Sequence, residues 1–289
     1  QQIQDDILNI RGMLEQIRRY FKNQLNLDTL DKDYTDNKIL SFLSYVFSKE
    51  NYSKVNHEVI NKWFWNTIIF NRFPGAQLQR IESDIKEYLK GEDKFLQHLK
   101  KDRSMNILND EYPLNNLNLI NAGYDHQNNT YLSIILLLNS LSPKDFNGKD
   151  KINLTDYIGS STKNNKHHII PYNSEAAKKI RNKYKNNKFP EFILNNISNI
   201  AIISNELNQE IKKKDPKDYF KKYEGNKDFY EILDTHLIDK EMYSDLKNER
   251  YEDFLMKRTS KILKIISKKC QINEELLEFN DNLEEENGN

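Results

Sequence analysis

Lys166-His167-His168-Ile169-Ile170-Pro171 is the stretch that decides how the rest of this sequence is interpreted. Two adjacent histidines lead into two β-branched residues, and a proline ends the run. β-Branched residues favour strands and proline interrupts them, so a short strand is predicted to carry the histidines. Adjacent side chains on a strand point to opposite faces. Near a strand end, one histidine could therefore bind a metal ion while the other faces water.

A second apolar run, at residues 197–204, alternates in part and predicts a second strand. Ser204 or Asn205 is suited to cap the helix that follows. Asn208 lies on that predicted helix, and Asn199 lies on the predicted second strand. Two strands and a helix would thus bring two histidines and two asparagines into one small unit.

Hydrolysis of a phosphodiester bond needs an attacking water, a base that takes its proton, and positive charge at the phosphate. A neutral histidine can be the base near pH 7, and an asparagine amide oxygen can bind a divalent cation. His167, His168, Asn199 and Asn208 are of the types that this chemistry uses. The residues alone leave open a second interpretation, in which the histidines are packed in a strand and the asparagines form turns or caps.

The order of these four residues resembles the HNH endonuclease family, which has a ββα-metal fold. The resemblance implies that His167 binds the metal ion, His168 is the general base, Asn199 orients that base and Asn208 is the second metal ligand. Two positions depart from the commoner pattern, since His replaces Asp at the first metal position and Asn replaces His at the last. The chain has no pair of CxxC motifs, which excludes the zinc-stabilised subtype.

Segments on both sides of the motif are similar to one HNH subgroup, the GmrSD-like restriction and phage-defence proteins. The similar segments are Trp63–Trp65, Asn71–Phe73, Asp145–Gly148, Ser198–Ser204, Asp215–Tyr219, and Asp253–Leu255 with Arg258. Those proteins pair an N-terminal ParB-like nucleotide-hydrolysing domain with a C-terminal helical and HNH half. The characteristic motif of that N-terminal domain is absent here, so the resemblance implies the C-terminal, effector half of a longer antiviral defence protein.

The resemblance implies a metal-dependent DNA endonuclease with Mg²⁺ as cofactor, or Mn²⁺ in its place. Residues 160–222 hold fourteen Lys or Arg and six Asp or Glu, a local excess of +8 in a chain whose 44 basic and 44 acidic residues cancel. Such an excess suits a phosphate backbone, although solvated lysines would also produce it. Four lysines are predicted to bind the nucleic acid. They are Lys166, beside the histidines, and Lys212, Lys213 and Lys214, which follow the predicted helix that carries Asn208.

The predicted fold class is mostly α, with a helical domain, a small ββα-metal (HNH) nuclease module and flanking helices. Apolar spacings of three and four predict an aromatic, buried helix at His57–Phe70 and a long helix at Gln77–Lys101, which Gly91 could end early. Short helices are expected at 103–126. The predicted units are a helical scaffold at 1–150, the nuclease module at 151–225, C-terminal helices at 226–272, and a disordered acidic tail at 273–289.

Residues 3–21 repeat Ile, Leu or Phe at alternating steps of four and three. This stripe fits a helix that packs on its own core, or a coiled coil that would make the chain a homodimer. The single cysteine, Cys270, excludes an internal disulfide and favours the reducing cytoplasm. No apolar run approaches the length of a membrane span, and no membrane partner is expected.

Two other functions are compatible with the sequence. The chain could be a nucleic-acid or partner-binding helical module whose HNH site is vestigial, or a structural helical domain of a larger assembly. Metal binding that depends on His167 separates the nuclease from the first alternative. Salt-dependent affinity for DNA separates it from the second.

Overall fold

A computed structural model describes residues 2–27, 37–73, 78–101, 129–148, 166–184 and 194–272. Within them lie twelve α-helices: α1 Gln2–Gln24, α2 Asn37–Lys49, α3 His57–Ile69, α4 Leu78–Leu89, α5 Glu92–Lys101, α6 Asn129–Ser140, α7 Glu175–Lys183, α8 Asn205–Ile211, α9 Pro216–Lys221, α10 Phe229–Asp234, α11 Lys240–Lys247 and α12 Tyr251–Cys270. Two strands, β1 Lys166–His168 and β2 Ile200–Ile202, form the sheet found in this part of the chain. The prediction of a mostly α fold is confirmed. The predictions for 103–126 and for the tail at 273–289 fall outside the described residues.

Helix α3 lies at the centre of the N-terminal helical part, which comprises α1 to α6. It begins at a capping residue, Asn56, whose side chain accepts a hydrogen bond from the Glu58 N–H at 3.2 Å. Most of its side chains are buried, including Trp63, Phe64 and Trp65. The aromatic stretch of the sequence is therefore packed in the core, as its crowding with isoleucine indicated.

Two polar contacts fasten α3 to other elements. The Ser133 hydroxyl on α6 donates to the Ile68 carbonyl at 2.7 Å, and the Asn66 amide donates to the Cys270 carbonyl at the end of α12 at 2.9 Å. Because α12 belongs to the C-terminal part of the chain, the second contact joins the two parts through a buried hydrogen bond. The core is accordingly continuous from α1 to α12 in the described residues.

The long helix predicted at Gln77–Lys101 is two helices, α4 and α5, and the early end expected at Gly91 is confirmed. The chain turns at Gly91, whose φ is +102°, a conformation that a residue with a side chain rarely adopts. The Gly91 carbonyl then accepts from the Phe95 N–H at 3.0 Å and starts α5. The break lets α4 and α5 pack against each other around a buried carboxylate, Asp84.

Only two of the six residues of the apolar stripe on α1 enter the core. Ile17 and Phe21 are buried, whereas Ile7, Ile10 and Leu14 are exposed, with Ile10 keeping 55% of its surface in solvent. Packing on its own core is thus confirmed for the last turns of the helix, and the coiled coil stays a prediction for the first turns. The last turns of α1 pack on α2, and the first turns present an uncovered apolar face.

The C-terminal part, residues 166–184 and 194–272, is built around the sheet. Strands β1 and β2 are antiparallel, with His167 opposite Ala201 and His168 opposite Ile200. Both strands are shorter than predicted, at three residues each. The segment before β2 is a 3₁₀ turn, Ile197–Asn199, because the Asn196 side chain accepts the Ser198 N–H at 2.7 Å and caps it.

Helices surround this small sheet. Ser174 caps α7, which lies between the strands in sequence, and Ser204 caps α8 by accepting the Leu207 N–H at 3.1 Å. Two short helices that the pattern did not predict follow: α9, with Pro216 in its first turn, and α11, capped by Asp239. None of the described helices is both long and apolar enough to cross a membrane.

Candidate functional site

His167 and Asn208 meet where β1 faces α8. The His167 Nδ1 atom lies 2.9 Å from the Asn208 Oδ1 atom, although the two residues are 41 positions apart. An amide oxygen can only accept, so in the neutral imidazole Nδ1 carries the proton and Nε2 has the lone pair. This Nε2 atom is buried and has no hydrogen-bond partner among the described residues. An unsatisfied buried nitrogen is costly, and its persistence here suits a ligand.

His167 is held in an apolar setting that keeps it neutral. Its ring packs edge-on against those of Phe146, 6.5 Å away, and Tyr219, 5.8 Å away, and only 3% of the residue is exposed. Burial lowers the pKa of His167 to about 4, against a smaller opposing effect of the Asn208 hydrogen bond. Metal ions bind the neutral imidazole, so near pH 7 this histidine is already in the state that a metal needs.

His168 points to the other side of the strand and is less buried than its neighbour. Burial lowers the pKa of His168, and a hydrogen bond with the Asn195 side chain acts in the opposite direction. The imidazole is therefore neutral near pH 7, which is the form that accepts a proton. Sequence reasoning missed Asn195, because an asparagine beside Asn196 in an Asn-rich chain carries no signal of its own.

Asn199 braces the segment that follows the histidines rather than touching His168. Its Oδ1 atom accepts the Ile170 N–H at 2.8 Å, and its Nδ2 atom donates to the carbonyls of Ile170 at 3.1 Å and Leu194 at 2.9 Å. The residue is fully buried and ends the 3₁₀ turn, so its predicted place on the second strand was wrong. The backbone carbonyl of Asn199 also accepts a hydrogen bond from the Ile169 N–H. These four hydrogen bonds fix the end of β1.

Three buried polar side chains, His236, Arg258 and Tyr219, pack around β1 and β2. His236 lies 4.8 Å from the Phe146 ring, and its Nε2 atom donates to the Lys144 carbonyl at 2.6 Å. Arg258 on α12 donates to the carbonyls of His236 and Ser198. The Tyr219 hydroxyl donates to the Ile169 carbonyl at 2.8 Å. His236, for which the sequence offered no role, is thus a fixed, buried link between the 142–148 turn and the sheet.

The predicted nucleic-acid contacts differ in accessibility. Lys166 is 91% buried, and its ammonium lies 5.0 Å from the centre of the Tyr131 ring, where a cation–π contact holds it. Lys212, Lys213 and Lys214 are exposed and make no ion pair with a carboxylate in the described chain. Lys212 ends α8 with φ of 54°, an uncommon conformation for a residue with a side chain. The three lysines remain candidates for phosphate contacts, whereas Lys166 would first have to leave its ring.

Part of the local basic excess is neutralised within the fold. Several of the counted lysines form ion pairs on the surface: Lys178 with Glu175, Lys179 and Lys217 with Glu249, Lys183 with Glu252, and Lys222 with Glu210. Exposed pairs of this kind add little stability. Glu175 and Glu210 are already counted in the excess of +8, whereas Glu249 and Glu252 lie outside residues 160–222 and reduce the positive field that a phosphate would meet.

The donor set fits a hard divalent cation held by few protein ligands. In the 2.9 Å contact His167 donates its Nδ1–H to Asn208 Oδ1, so the lone pair that is available to a cation is that of Nε2. No cluster of three or more His, Cys, Asp or Glu side chains occurs in the described residues. The predicted pair of metal ligands, His167 with Asn208, would require the imidazole proton to move from Nδ1 to Nε2.

Comparison with known proteins yields a distant relative. An uncharacterized protein of Methanocaldococcus jannaschii is 25% identical over 204 residues, which are 65% of this chain and 31% of the relative. The chain thus spans about a third of that relative's length. No protein-family model and no solved structure matches the chain. The comparisons assign no activity, so a functional conclusion depends on the site itself.

Proposed function

We propose that this chain is a metal-dependent DNA endonuclease of the HNH type. The observation that carries the proposal is the contact of His167 with Asn208 at 2.9 Å, together with the buried, unpartnered Nε2 atom of the same histidine. A hairpin of two short strands followed by a helix, with His168 on the opposite face of β1, supports it further. Under this proposal the HNH-like module is the effector half of a restriction or antiviral protein that also has a ParB-like domain.

The residues of this chain would divide the reaction between them. His168 is neutral near pH 7 and accepts the proton of the water that attacks phosphorus. The bond from phosphorus to the 3′ oxygen then breaks, and that oxygen takes up a proton from solvent. His167 and Asn208 would hold a divalent cation, which supplies positive charge to the scissile phosphate when bound. Asn199 fixes the backbone at Ile170 so that His168 keeps its direction.

The test is the nicking of supercoiled plasmid DNA with Mg²⁺ or Mn²⁺. We expect His168→Ala to reduce the rate by about 10²- to 10⁴-fold, the usual effect of losing a general base. His57→Gln is the matched control, because His57 is also half-buried with a pKa that burial lowers, but lies on α3 in the helical part. Equal rates for the parent chain and His168→Ala would sink the proposal.

A second candidate is a partner-binding helical module with a vestigial HNH site. The exposed apolar stripe of α1, from Ile3 to Leu14, favours it. In a parallel pair of such helices, Asp6 of one copy would face Arg11 of the other, since these residues occupy g and e positions five apart. Calorimetry separates the candidates: Mn²⁺ binding that His167→Ala removes supports the nuclease, and no such binding supports the module.

A further inference from the structure

Exposed aromatic side chains are few in the described chain, and one of them borders the candidate site. Outside helices α1 and α4, the large hydrophobic residues that are exposed are Tyr172 and Tyr230. Tyr172 keeps 38% of its surface in solvent and follows Pro171 directly. An exposed tyrosine alone is unremarkable, so the inference depends on what surrounds it.

Two neighbours fix the orientation of the Tyr172 ring. The guanidinium carbon of Arg181, on α7, lies 4.1 Å from the ring centre, and Arg181 also donates to the Tyr172 carbonyl at 2.9 Å. The His168 ring lies 6.5 Å away, centre to centre, in an edge-on arrangement. Arg181 thus contacts both the ring and the backbone carbonyl of Tyr172. These two contacts hold the ring in place beside His168, the proposed general base.

The geometry points to a nucleotide-binding ledge, Tyr172 with Arg181, that stacks an unpaired base of the DNA next to the phosphate that is cut. This inference rests on the proposed function and names the form of its substrate. Base stacking on an aromatic ring requires a base that is free of its partner strand. The Tyr172 ring lies 6.5 Å from the ring of His168, the proposed general base, so the stacked base would belong to a nucleotide beside the phosphate that is cut.

The charge of the ledge suits the same ligand. A guanidinium group combines stacking on an aromatic ring with attraction for phosphate, and that of Arg181 lies over the Tyr172 ring. A peptide with an aromatic side chain would also stack on Tyr172, but it has no phosphate on which His168, the proposed general base, could act. The ledge thus favours single-stranded, mismatched or frayed DNA over a fully paired duplex.

The experiment measures the affinity for a fluorescent single-stranded oligonucleotide and for the same sequence as a duplex, in EDTA so that no bond is cut. We expect the parent chain to prefer the single strand. Tyr172→Ala should weaken that binding by about five- to a hundredfold, the worth of one base–aromatic stack. Tyr172→Phe, which keeps the ring, should stay within about twofold of the parent.

Tyr230→Ala is the matched control. Tyr230 is 45% exposed and also has a cation over its ring, Lys240 at 4.9 Å, but it lies on α10 against Phe229 and Tyr243. The Tyr230→Ala variant should bind the single-stranded oligonucleotide with the affinity of the parent chain. Equal losses in Tyr172→Ala and Tyr230→Ala, or no affinity of the parent for either DNA, would overturn the inference. A parent that binds through Tyr172 but never nicks DNA would overturn the proposed nuclease and leave the ledge standing.

Discussion

The N-terminal helical part and the C-terminal part each bury several polar groups, and they do so in opposite ways. In the helical part Asp84 is fully buried and receives hydrogen bonds from Trp63, Arg72 and His98. In the C-terminal part His167, His236 and Arg258 are buried with no carboxylate paired to them among the described residues. We call the Asp84 cluster closed, because its members are hydrogen-bonded to one another. We call the His167 cluster open, because the Nε2 atom of His167 has no hydrogen-bond partner in the described chain.

The difference separates stability from function. A closed cluster satisfies every member, so it fixes the packing of α3, α4 and α5 without offering anything to a ligand. An open cluster costs free energy and persists where the unsatisfied group has another use. Burial of charged groups alone therefore does not mark the site. A buried nitrogen without a partner does not mark the site alone either, since Nδ1 of His57 in the helical part is another. The mark is the unpartnered Nε2 atom on a side chain, His167, that also contacts Asn208 and adjoins His168, and the predictions below test that distinction.

The largest effect is expected from opening the closed cluster. Asp84→Ala leaves the Arg72 guanidinium buried without its counter-ion, which should cost about 3–5 kcal/mol in the free energy of unfolding. Urea denaturation at pH 7 measures it. Nicking per folded molecule should not change. The control is Glu87→Ala on the same helix, which removes an exposed ion pair with Lys90 and should leave the urea midpoint unchanged. A midpoint for Asp84→Ala that matches the control would contradict the comparison.

Asn199→Ala should affect both properties, because this residue holds the open cluster in place. Loss of its amide strands the N–H of Ile170 and the carbonyls of Ile170 and Leu194, for a cost of about 1–3 kcal/mol. Nicking should fall as well, beyond what the loss of folded protein explains. Asn248→Ala is the control, since that exposed amide bonds only within its own helix. Full nicking by folded Asn199→Ala would show that the brace has no part in the reaction.

Acid should weaken the open cluster well before the closed one. Burial lowers the pKa of His236 from 6.5 to about 3, with Arg258 and His167 adding smaller repulsion. A lowered pKa in the folded state means stability that is present above pH 6.5 and is lost as the pH falls toward 3. Between pH 7 and pH 5 the loss from this group is on the order of 2 kcal/mol.

Urea denaturation at several pH values, without metal, tests the His236 prediction. The slope of unfolding free energy against pH should be smaller for His236→Gln than for the parent over pH 5–7. Asp84 titrates lower: burial raises the pKa of its carboxyl, but the hydrogen bonds of His98 and Arg72 outweigh burial and hold it below 3.8. Asp84→Asn should therefore keep the parent slope over pH 5–7. Parallel curves for the parent and His236→Gln would refute the assignment.

Sequence patterns predicted the helices well because apolar spacing reports which face of a helix is buried. Helix α3 follows its predicted bounds, His57–Phe70, within one residue. The strands were predicted too long, since apolar alternation cannot show that the Asn196 side chain captures the Ser198 N–H and turns the chain. The break at Gly91 and the short helices α9 and α11 likewise depend on single caps and φ angles rather than on periodicity.

The site was less predictable from residues alone than the fold. His167 and Asn208 are 41 positions apart, so no local pattern joins them, and only resemblance to a family suggested the pair. Burial of Lys166 against Tyr131 and the ion pairs of the α7 lysines depend on tertiary packing, which composition does not contain. The link between Asn195 and His168 left no trace in the sequence.

The smallest effect is expected from substitutions at Asn208 on the affinity for Mn²⁺. It is also the most specific test, because it shows what the open cluster binds. His167 and Asn208 together carry no charge near pH 7, so Asn208→Asp adds a negative ligand for a divalent cation and should tighten Mn²⁺ binding by about tenfold. Asn208→Ala should weaken it. Isothermal calorimetry at pH 7 measures both. Gln209→Glu adds the same charge to the next, exposed residue of α8 and should leave the affinity near that of the parent. Equal tightening by Asn208→Asp and Gln209→Glu would mean that the cation senses only the local field. Tighter binding by Asn208→Asp and weaker binding by Asn208→Ala, with no change at Gln209, would mean that residue 208 contacts the ion directly beside His167.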